Sequence, residues 1–402
     1  MFFVDHGSFV SIHPKNTMDI QNRTNALPRC PVADRCGGCQ WQHIDYADQV
    51  THKQQQAEYH LLGIPGWDGP KPWPMVVARD PYGYRNKAIF PVRADFRLGL
   101  YAQDSHDIVP INHCPVQDPR LDEILSMLLA DLPHTGWIPY DERTHSGQIR
   151  YISLRVGRRT GECLITLISR DPDLPDIESW ADHWHHGAGV VGVCLNINRD
   201  PGNRIWGSPT YTLAGEAVIH EMLGGLMFQL DSRSFFQAHT EQAESLFQWI
   251  LQVLPLDQLH SGIDAYCGIG TLTLLLAQHL PRLVGIESIP EAIQQARDNA
   301  ALNDLTHIEW HCAAVEAQLS QFLPADLVVV DPPRKGCDAA VLHSLLHTPP
   351  QWLVYISCAL PSLGRDLSVL LSGFRVVQWR AADFFPQTPH IEIAVILQRR
   401  DD

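Results

Sequence analysis

The chain has 402 residues, 45% of them apolar and 19% charged, with a formal net charge of −15, a length that suggests two or three domains around a large core. That charge argues against indiscriminate nucleic-acid binding, whose affinity comes mainly from neutralising phosphates, and leaves room only for local basic tracks. No apolar run approaches the ~20 residues needed to cross a bilayer, and Met1-Phe-Phe-Val-Asp-His lacks the basic start and long apolar core of a signal peptide. A cytoplasmic protein with no membrane partner is expected, in which the ten cysteines are candidate metal ligands or nucleophiles rather than disulfides.

Residues 1–29 are weakly patterned. Cys30-Pro-Val-Ala-Asp-Arg-Cys36-Gly-Gly-Cys39 follows, three thiols spaced C-x5-C-x2-C with glycines that let the backbone wrap closely. The spacing suits thiolate ligation of zinc or of an iron–sulfur cluster and does not decide between them, and Cys114, also followed by a proline, offers a fourth ligand. Residues 45–62 read as a helix and 63–74, rich in Gly and Pro, as a linker. Strand patterns then cover 84–92, 148–156, 163–169 and 187–198, with a hairpin at Gly157-Arg-Arg-Thr-Gly161 in a mixed, partly antiparallel sheet. Two basic stretches, 79–97 and 143–159, are either RNA tracks or solvated strand faces. A domain boundary is placed near Asp231, where Ser234-Phe-Phe-Gln237-Ala-His leads into a helix over 241–254.

Residues 263–271, Ile-Asp-Ala-Tyr266-Cys-Gly268-Ile-Gly270-Thr, read as a strand running through a glycine loop into a helix. Gly268 and Gly270 permit a tight turn and close approach of a ligand. A second strand, 282–287, ends in Glu287, 19 residues after Gly268, near the spacing at which an acid reaches ribose hydroxyls. That is the pattern of a nucleoside-cofactor pocket. Beyond it a helix (290–303), strands (308–312, 325–330), a helix near Ala339 and a strand (352–357) imply a doubly wound, mostly parallel α/β sheet with its chemistry at the carboxyl ends of the strands. Asp331-Pro-Pro-Arg334 closes one strand and Ser357-Cys358 the next. Asp383-Phe-Phe-Pro-Gln-Thr-Pro-His-Ile-Glu392 leads into the final strand, 391–398.

Taken in order, these motifs, together with Tyr84-Arg-Asn-Lys-Ala, resemble the S-adenosylmethionine-dependent RNA uracil-C5 methyltransferases, in particular their iron–sulfur-containing 23S ribosomal RNA branch; the resemblance covers residues 30–402. It implies a Rossmann-like class I methyltransferase domain (231–402) preceded by a β-rich central domain (30–230) that holds a [4Fe–4S] cluster and binds RNA. It implies Cys30, Cys36, Cys39 and Cys114 as cluster ligands, and Gln237, Tyr266, Glu287 and Asp331, beside Gly268 and Gly270, as S-adenosylmethionine contacts. Cys358 becomes the nucleophile and Glu392 the proton acceptor. The expected substrate is 23S ribosomal RNA, with transfer RNA as the alternative, and the expected state is a monomer. Residues 1–29 are too few for the complete RNA-binding β-barrel with which many members open. Ala359-Leu360 stands where the family usually has Asn-Pro.

Uracil methylation accounts for these residue types. C5 of uracil is too weak a nucleophile until a thiolate adds to C6, and a base must afterwards remove the C5 proton. The target uridine must be unpaired or flipped, and Phe235, Phe236, Phe384 and Phe385 are either stacking platforms or core. A cytosine-C5 enzyme would resemble this chain only with a cysteine beside the strand-end proline. An adenine-amino enzyme would need an aromatic where Arg334 stands. A non-catalytic iron–sulfur RNA-binding protein is the alternative from another class, and retention of Cys358 and Glu392 argues against it.

Overall fold

The computed structural model describes residues 25–401, so the expectation for 1–29 lies, over 1–24, outside the described residues. After the three N-terminal cysteines, helix α1 (Tyr46–Leu62) buries Gln49, Lys53, Ala57 and Leu61, a stripe recurring every four residues along one helix face. Two of these four are polar and have to find partners. The chain continues through β1 (Lys87–Pro91), β2 (Gly99–Tyr101), β3 (Ile108–Pro110), α2 (Pro119–Asp131), β4 (Ile149–Val156), β5 (Cys163–Ser169), α3 (Ile177–His185), β6 (Val190–Ile197), β7 (Thr210–Gly215), β8 (Val218–Leu223) and β9 (Leu226–Asp231). Strands β1-β4-β5-β6-β7 form one mixed sheet, β2-β3 and β8-β9 two hairpins. The hairpin expected at 157–161 joins β4 to β5, antiparallel.

Four of the five arginines of 143–159 are held by partners within the protein, whereas Arg143 is exposed beside Asp141. Every residue of β4 is buried. Arg150 donates to the carbonyls of Asn198 and Gly202, and Arg155 to those of Asp231 and Ser234. Arg158 pairs with Asp118 and Glu241, and Arg159 with Glu244. A guanidinium brings five donors to a fixed fork, so it can satisfy several loop carbonyls at once and substitute for ladder bonds where the chain is irregular.

The second half comprises α4 (Thr240–Val253), β10 (Ser261–Ala265), α5 (Thr271–Ala277), β11 (Arg282–Glu287), α6 (Pro290–Leu302), β12 (Ile308–Cys312), α7 (Val315–Phe322), β13 (Leu327–Val330), α8 (Ala339–His347), β14 (Trp352–Ser357), α9 (Leu360–Leu370), β15 (Phe374–Ala382) and β16 (Glu392–Arg399). They build a seven-stranded sheet in the order β12-β11-β10-β13-β14-β16-β15. The strands from β12 to β14 are parallel, and β16 runs antiparallel to both β14 and β15. Alternate residues feed two cores: Val329, Val354 and Ile396 one face, Val328, Val330, Leu353 and Val395 the other. This is the doubly wound class I methyltransferase arrangement. Ala57, Leu61, Ile64 and Met75 join the second core, so α1 packs on the methyltransferase sheet. Among the described residues no helix is long and apolar enough to cross a membrane.

Candidate active site

Strands β10 and β13 are neighbours although β11 and β12 lie between them in sequence, so the connections on either side diverge and leave a crevice over their carboxyl ends. Tyr266, Gly268 and Gly270 line the turn out of β10 with φ of 71°, 55° and 85°, left-handed values that favour glycine and strain the tyrosine. The amides of Tyr266 and Cys267 both donate to the carbonyl of Ile286, at 2.9 and 3.0 Å, which fixes the turn against β11. A Cβ on Gly268 would meet nothing within 4 Å, whereas one on Gly270 would stand 3.0 Å from the Trp310 ring. Gly268 therefore serves the backbone and keeps the space before it clear.

Acidic groups surround this loop. At the end of β11, Glu287 Oε1 accepts from the Ser288 amide at 2.6 Å, the Ser288 hydroxyl at 3.0 Å and the Ile289 amide at 3.0 Å, which fixes the carboxylate's orientation. Asp331 follows β13 directly, and burial pushes its carboxyl up to about 6. Asp264, one residue from the end of β10, is buried and accepts from Thr273 Oγ1 at 2.5 Å. Burial pushes it up to about 7, and Asp331 and Glu287 act in the same direction. Gln237 lies between β9 and α4, in a segment that Asn86 anchors by donating to the Gln237 carbonyl at 2.9 Å. No hydrogen bond ties the Gln237 side chain to the glycine loop.

The remaining pair meets through sheet register. Ser357 of β14 is opposite Ile393 of β16 in the last pair of their antiparallel ladder, and the next positions along the two chains are Cys358 and Glu392, so both stand at this end of the sheet. Glu392 is 5% exposed; burial first and Asp331 second hold its carboxyl well above the usual carboxylate range, while Arg334 opposes. Burial pushes the Cys358 thiol up to about 11, with Glu392 and Asp331 adding to the rise, against a charge and a hydrogen bond from Arg334. Cys358, Glu392, Asp331 and Arg334 therefore form one cluster. The loop after Cys358 is supported by Ser357, whose hydroxyl accepts from the Ala359 amide at 3.1 Å, and by Ser362, whose hydroxyl donates to the carbonyls of Ala359 at 3.1 Å and Arg334 at 2.9 Å.

Elsewhere, Cys30, Cys36, Cys39 and Cys114 line one small, largely enclosed pocket together with Arg85. A bridge between Cys36 and Ala102 and the Gly37 amide donating to Tyr101 at 2.9 Å hold the cysteine loop on the β2-β3 hairpin. Burial raises the thiols of Cys36 and Cys39, and that of Cys114 to about 12. Among the described residues no three His, Cys, Asp or Glu side chains converge as a single-ion site.

Residues 315–400 match the family model described as tRNA (Uracil-5-)-methyltransferase, and residues 235–355 the methyltransferase small domain. An uncharacterized RNA methyltransferase of Nostoc sp. is 44% identical over 378 residues, covering 92% of this chain and 82% of its own length. One from Halalkalibacterium halodurans is 35% identical over 381 residues, covering 92% and 83%. The chain belongs to the S-adenosylmethionine-dependent RNA uracil-5 methyltransferase family. The crystal structure of Pyrococcus abyssi tRNA (uracil-54, C5)-methyltransferase with S-adenosyl-L-homocysteine superposes with a TM-score of 0.77 at 25% identity, covering 90% of this chain and 85% of that one.

Two residues of this RNA uracil-5 methyltransferase carry little or no signal of their place in the site in the sequence. Arg334 reads there only as a non-aromatic after Pro-Pro; its value as a cation depends on the long-range register that brings Cys358 and Glu392 to it. Asp264 had a signal, a lone acid inside an apolar strand. Of the four phenylalanines, Phe236 and Phe384 are core, whereas Phe235 is 50% exposed.

Proposed function

We propose that this methyltransferase transfers a methyl group to C5 of a uridine in RNA through a covalent bond between Cys358 and C6, with Glu392 removing the C5 proton. The convergence of Cys358, Glu392, Asp331 and Arg334 at one end of the sheet carries this reading. S-adenosylmethionine, when bound, supplies an electrophilic methyl group. Gln237, Tyr266, Gly268, Gly270, Glu287 and Asp331 are the residues that hold it over the crevice. Cys358 releases its proton to water and the thiolate adds to C6, which places carbanion character at C5. Arg334 favours the thiolate at this step. Once C5 is methylated, Glu392 takes the C5 proton and the C6–sulfur bond breaks, regenerating the thiolate; a carboxyl raised by burial accepts a proton more readily near neutral pH than an exposed one.

Two outcomes follow. Because the thiolate is the reactive form and the Cys358 thiol is raised to about 11, adduct formation is expected to quicken as pH rises from about 6 to about 9. Arg334→Gln, which removes the opposing charge, is expected to be at least about tenfold slower at each pH. Single-turnover rates measured across that range check both, and a flat profile in the parent would contradict the thiolate step. Glu287→Ala removes charge-assisted hydrogen bonds worth about 1.5–3 kcal/mol each, so cofactor affinity is expected to fall by about tenfold or more by calorimetry. Unchanged affinity in a folded variant moves the pocket elsewhere.

The four cysteines hold a [4Fe–4S] cluster in this reading, which ties the β2-β3 hairpin to the N-terminal segment. The pocket fits such a group: four thiols on an apolar wall that includes Leu100, Ile111 and Val116, and a Gly38 amide 3.4 Å from Cys36 Sγ. A Cβ on Gly38 would stand 3.4 Å from that sulfur, and Arg85 Nε is a buried donor with no partner. Thiols around a pocket rather than on a point suit a cubane better than one zinc ion. Protein purified without oxygen is expected to be brown with about four irons per chain, and Cys36→Ser or Cys39→Ser to lose them; stoichiometric zinc without iron would contradict this.

The substrate is 23S ribosomal RNA, on the likeness of the cysteine motif to the ribosomal branch, and the enzyme acts as a cytoplasmic monomer. Transfer RNA is the second reading, favoured by the likeness to the Pyrococcus enzyme and by the description of the family matched over 315–400. Incubating the purified protein with methyl-labelled cofactor and each RNA in turn decides: 5-methyluridine in the ribosomal transcript alone is expected, and label in neither RNA contradicts the function.

A further inference from the structure

The loop 383–391, which delivers Glu392 to the site, is gripped by residues far away in sequence. Lys53 Nζ donates to Asp383 Oδ1 at 2.7 Å and to the Phe385 carbonyl at 3.1 Å, and both side chains of the ion pair are 0% exposed. One turn earlier on α1, Gln49 Nε2 donates to Gln387 Oε1 at 3.0 Å while the Gln387 amide donates to Gln49 Oε1 at 3.0 Å. The Trp41 amide donates to the Gln387 carbonyl at 3.0 Å, and the Tyr84 hydroxyl to the Pro386 carbonyl at 3.0 Å. Gln387 has φ of 71°, a left-handed conformation that a residue with a Cβ keeps only where its surroundings over-determine it. Here its amide, carbonyl and side chain are all captured from the α1 side.

A buried ion pair is a weak source of net stability, because the cost of desolvating both charges offsets their attraction, and an apolar pair of equal volume would stabilise as well. What the pair supplies is geometry: one register of the loop against α1. We propose that Lys53 and Gln49 are positioning residues for Glu392, holding 383–391 in the conformation that presents the carboxylate opposite Cys358. The inference rests on Glu392 being the base. The same clamp joins the base to the wall of the cysteine pocket, since Trp41 lies two residues beyond Cys39 and Tyr84 directly precedes Arg85.

The test compares the parent, Glu392→Gln, Gln49→Leu and the double variant Lys53→Met/Asp383→Asn, in which no lone charge is left buried. Thermal melting, cofactor affinity, KM for RNA, kcat and the amount of methyl-labelled RNA that stays on the protein after denaturation are measured for each. The double variant is expected to bind cofactor and RNA like the parent, to lose about 10²-fold in kcat and to accumulate the labelled covalent complex, because methyl transfer proceeds while proton removal fails. A merely structural role would slow both steps together and leave no complex. Parental kcat in the folded double variant, or reduced kcat without the complex while Glu392→Gln accumulates it, overturns the clamp and leaves the function standing. Absence of the complex in Glu392→Gln overturns the base assignment and the clamp with it. If the double variant does not fold, Gln49→Leu, which keeps the ion pair, decides by the same readouts.

Discussion

Replacement of Glu392 by Gln is expected to give a protein that binds both substrates, turns over slower by about 10²–10⁴-fold, and accumulates methylated RNA covalently joined to the chain. The amide keeps the volume of the carboxyl in a site that is 5% exposed, so packing is retained and proton acceptance is lost. Attack by Cys358 and methyl transfer both precede the lost step. The trapped species therefore carries the cofactor's methyl group and survives denaturing electrophoresis as a shifted band. No band, in a variant that binds RNA and cofactor, would mean that Glu392 acts before methyl transfer or that another residue is the base.

Cys358→Ala is expected to abolish turnover while leaving RNA and cofactor binding intact. Without a thiolate no bond forms at C6, and C5 stays too weak a nucleophile to attack a sulfonium methyl. The substitution removes one sulfur from a half-buried position at a strand end, where Ser357 and Ser362 continue to hold the loop, so stability is expected to change little. Combined with Glu392→Gln it should erase the covalent band, and methyl transfer by Cys358→Ala at even a hundredth of the parental rate would exclude covalent catalysis.

The sequence exposed what depends on local pattern. Strands 282–287, 308–312 and 352–357 stand where expected. Strand 352–357 is buried throughout and reads as an apolar run between turns, whereas the half-exposed edge strand 308–312 is marked by its place in the helix–strand alternation. The glycine loop was legible because positive φ at Gly268 and Gly270 restricts the residues that can stand there. Strand β15 was missed because a register shift between Val376 and Gln378 breaks its alternation, and α7 because eight residues show too little period. The fate of Arg150 and Arg155 was illegible, because their carbonyl partners are 48 to 79 residues away in sequence. The grip of α1 on the loop before Glu392 spans 330 residues or more, and only the fold brings those ends together.

Mapping 5-methyluridine in ribosomal and transfer RNA from cells with and without this gene tests the central claim most directly. The account predicts that one uridine of 23S ribosomal RNA loses its C5 methyl group when the gene is absent. It also predicts that the parental gene restores the mark and the Cys358→Ala gene does not. Unchanged 5-methyluridine at every position of both RNAs would contradict it.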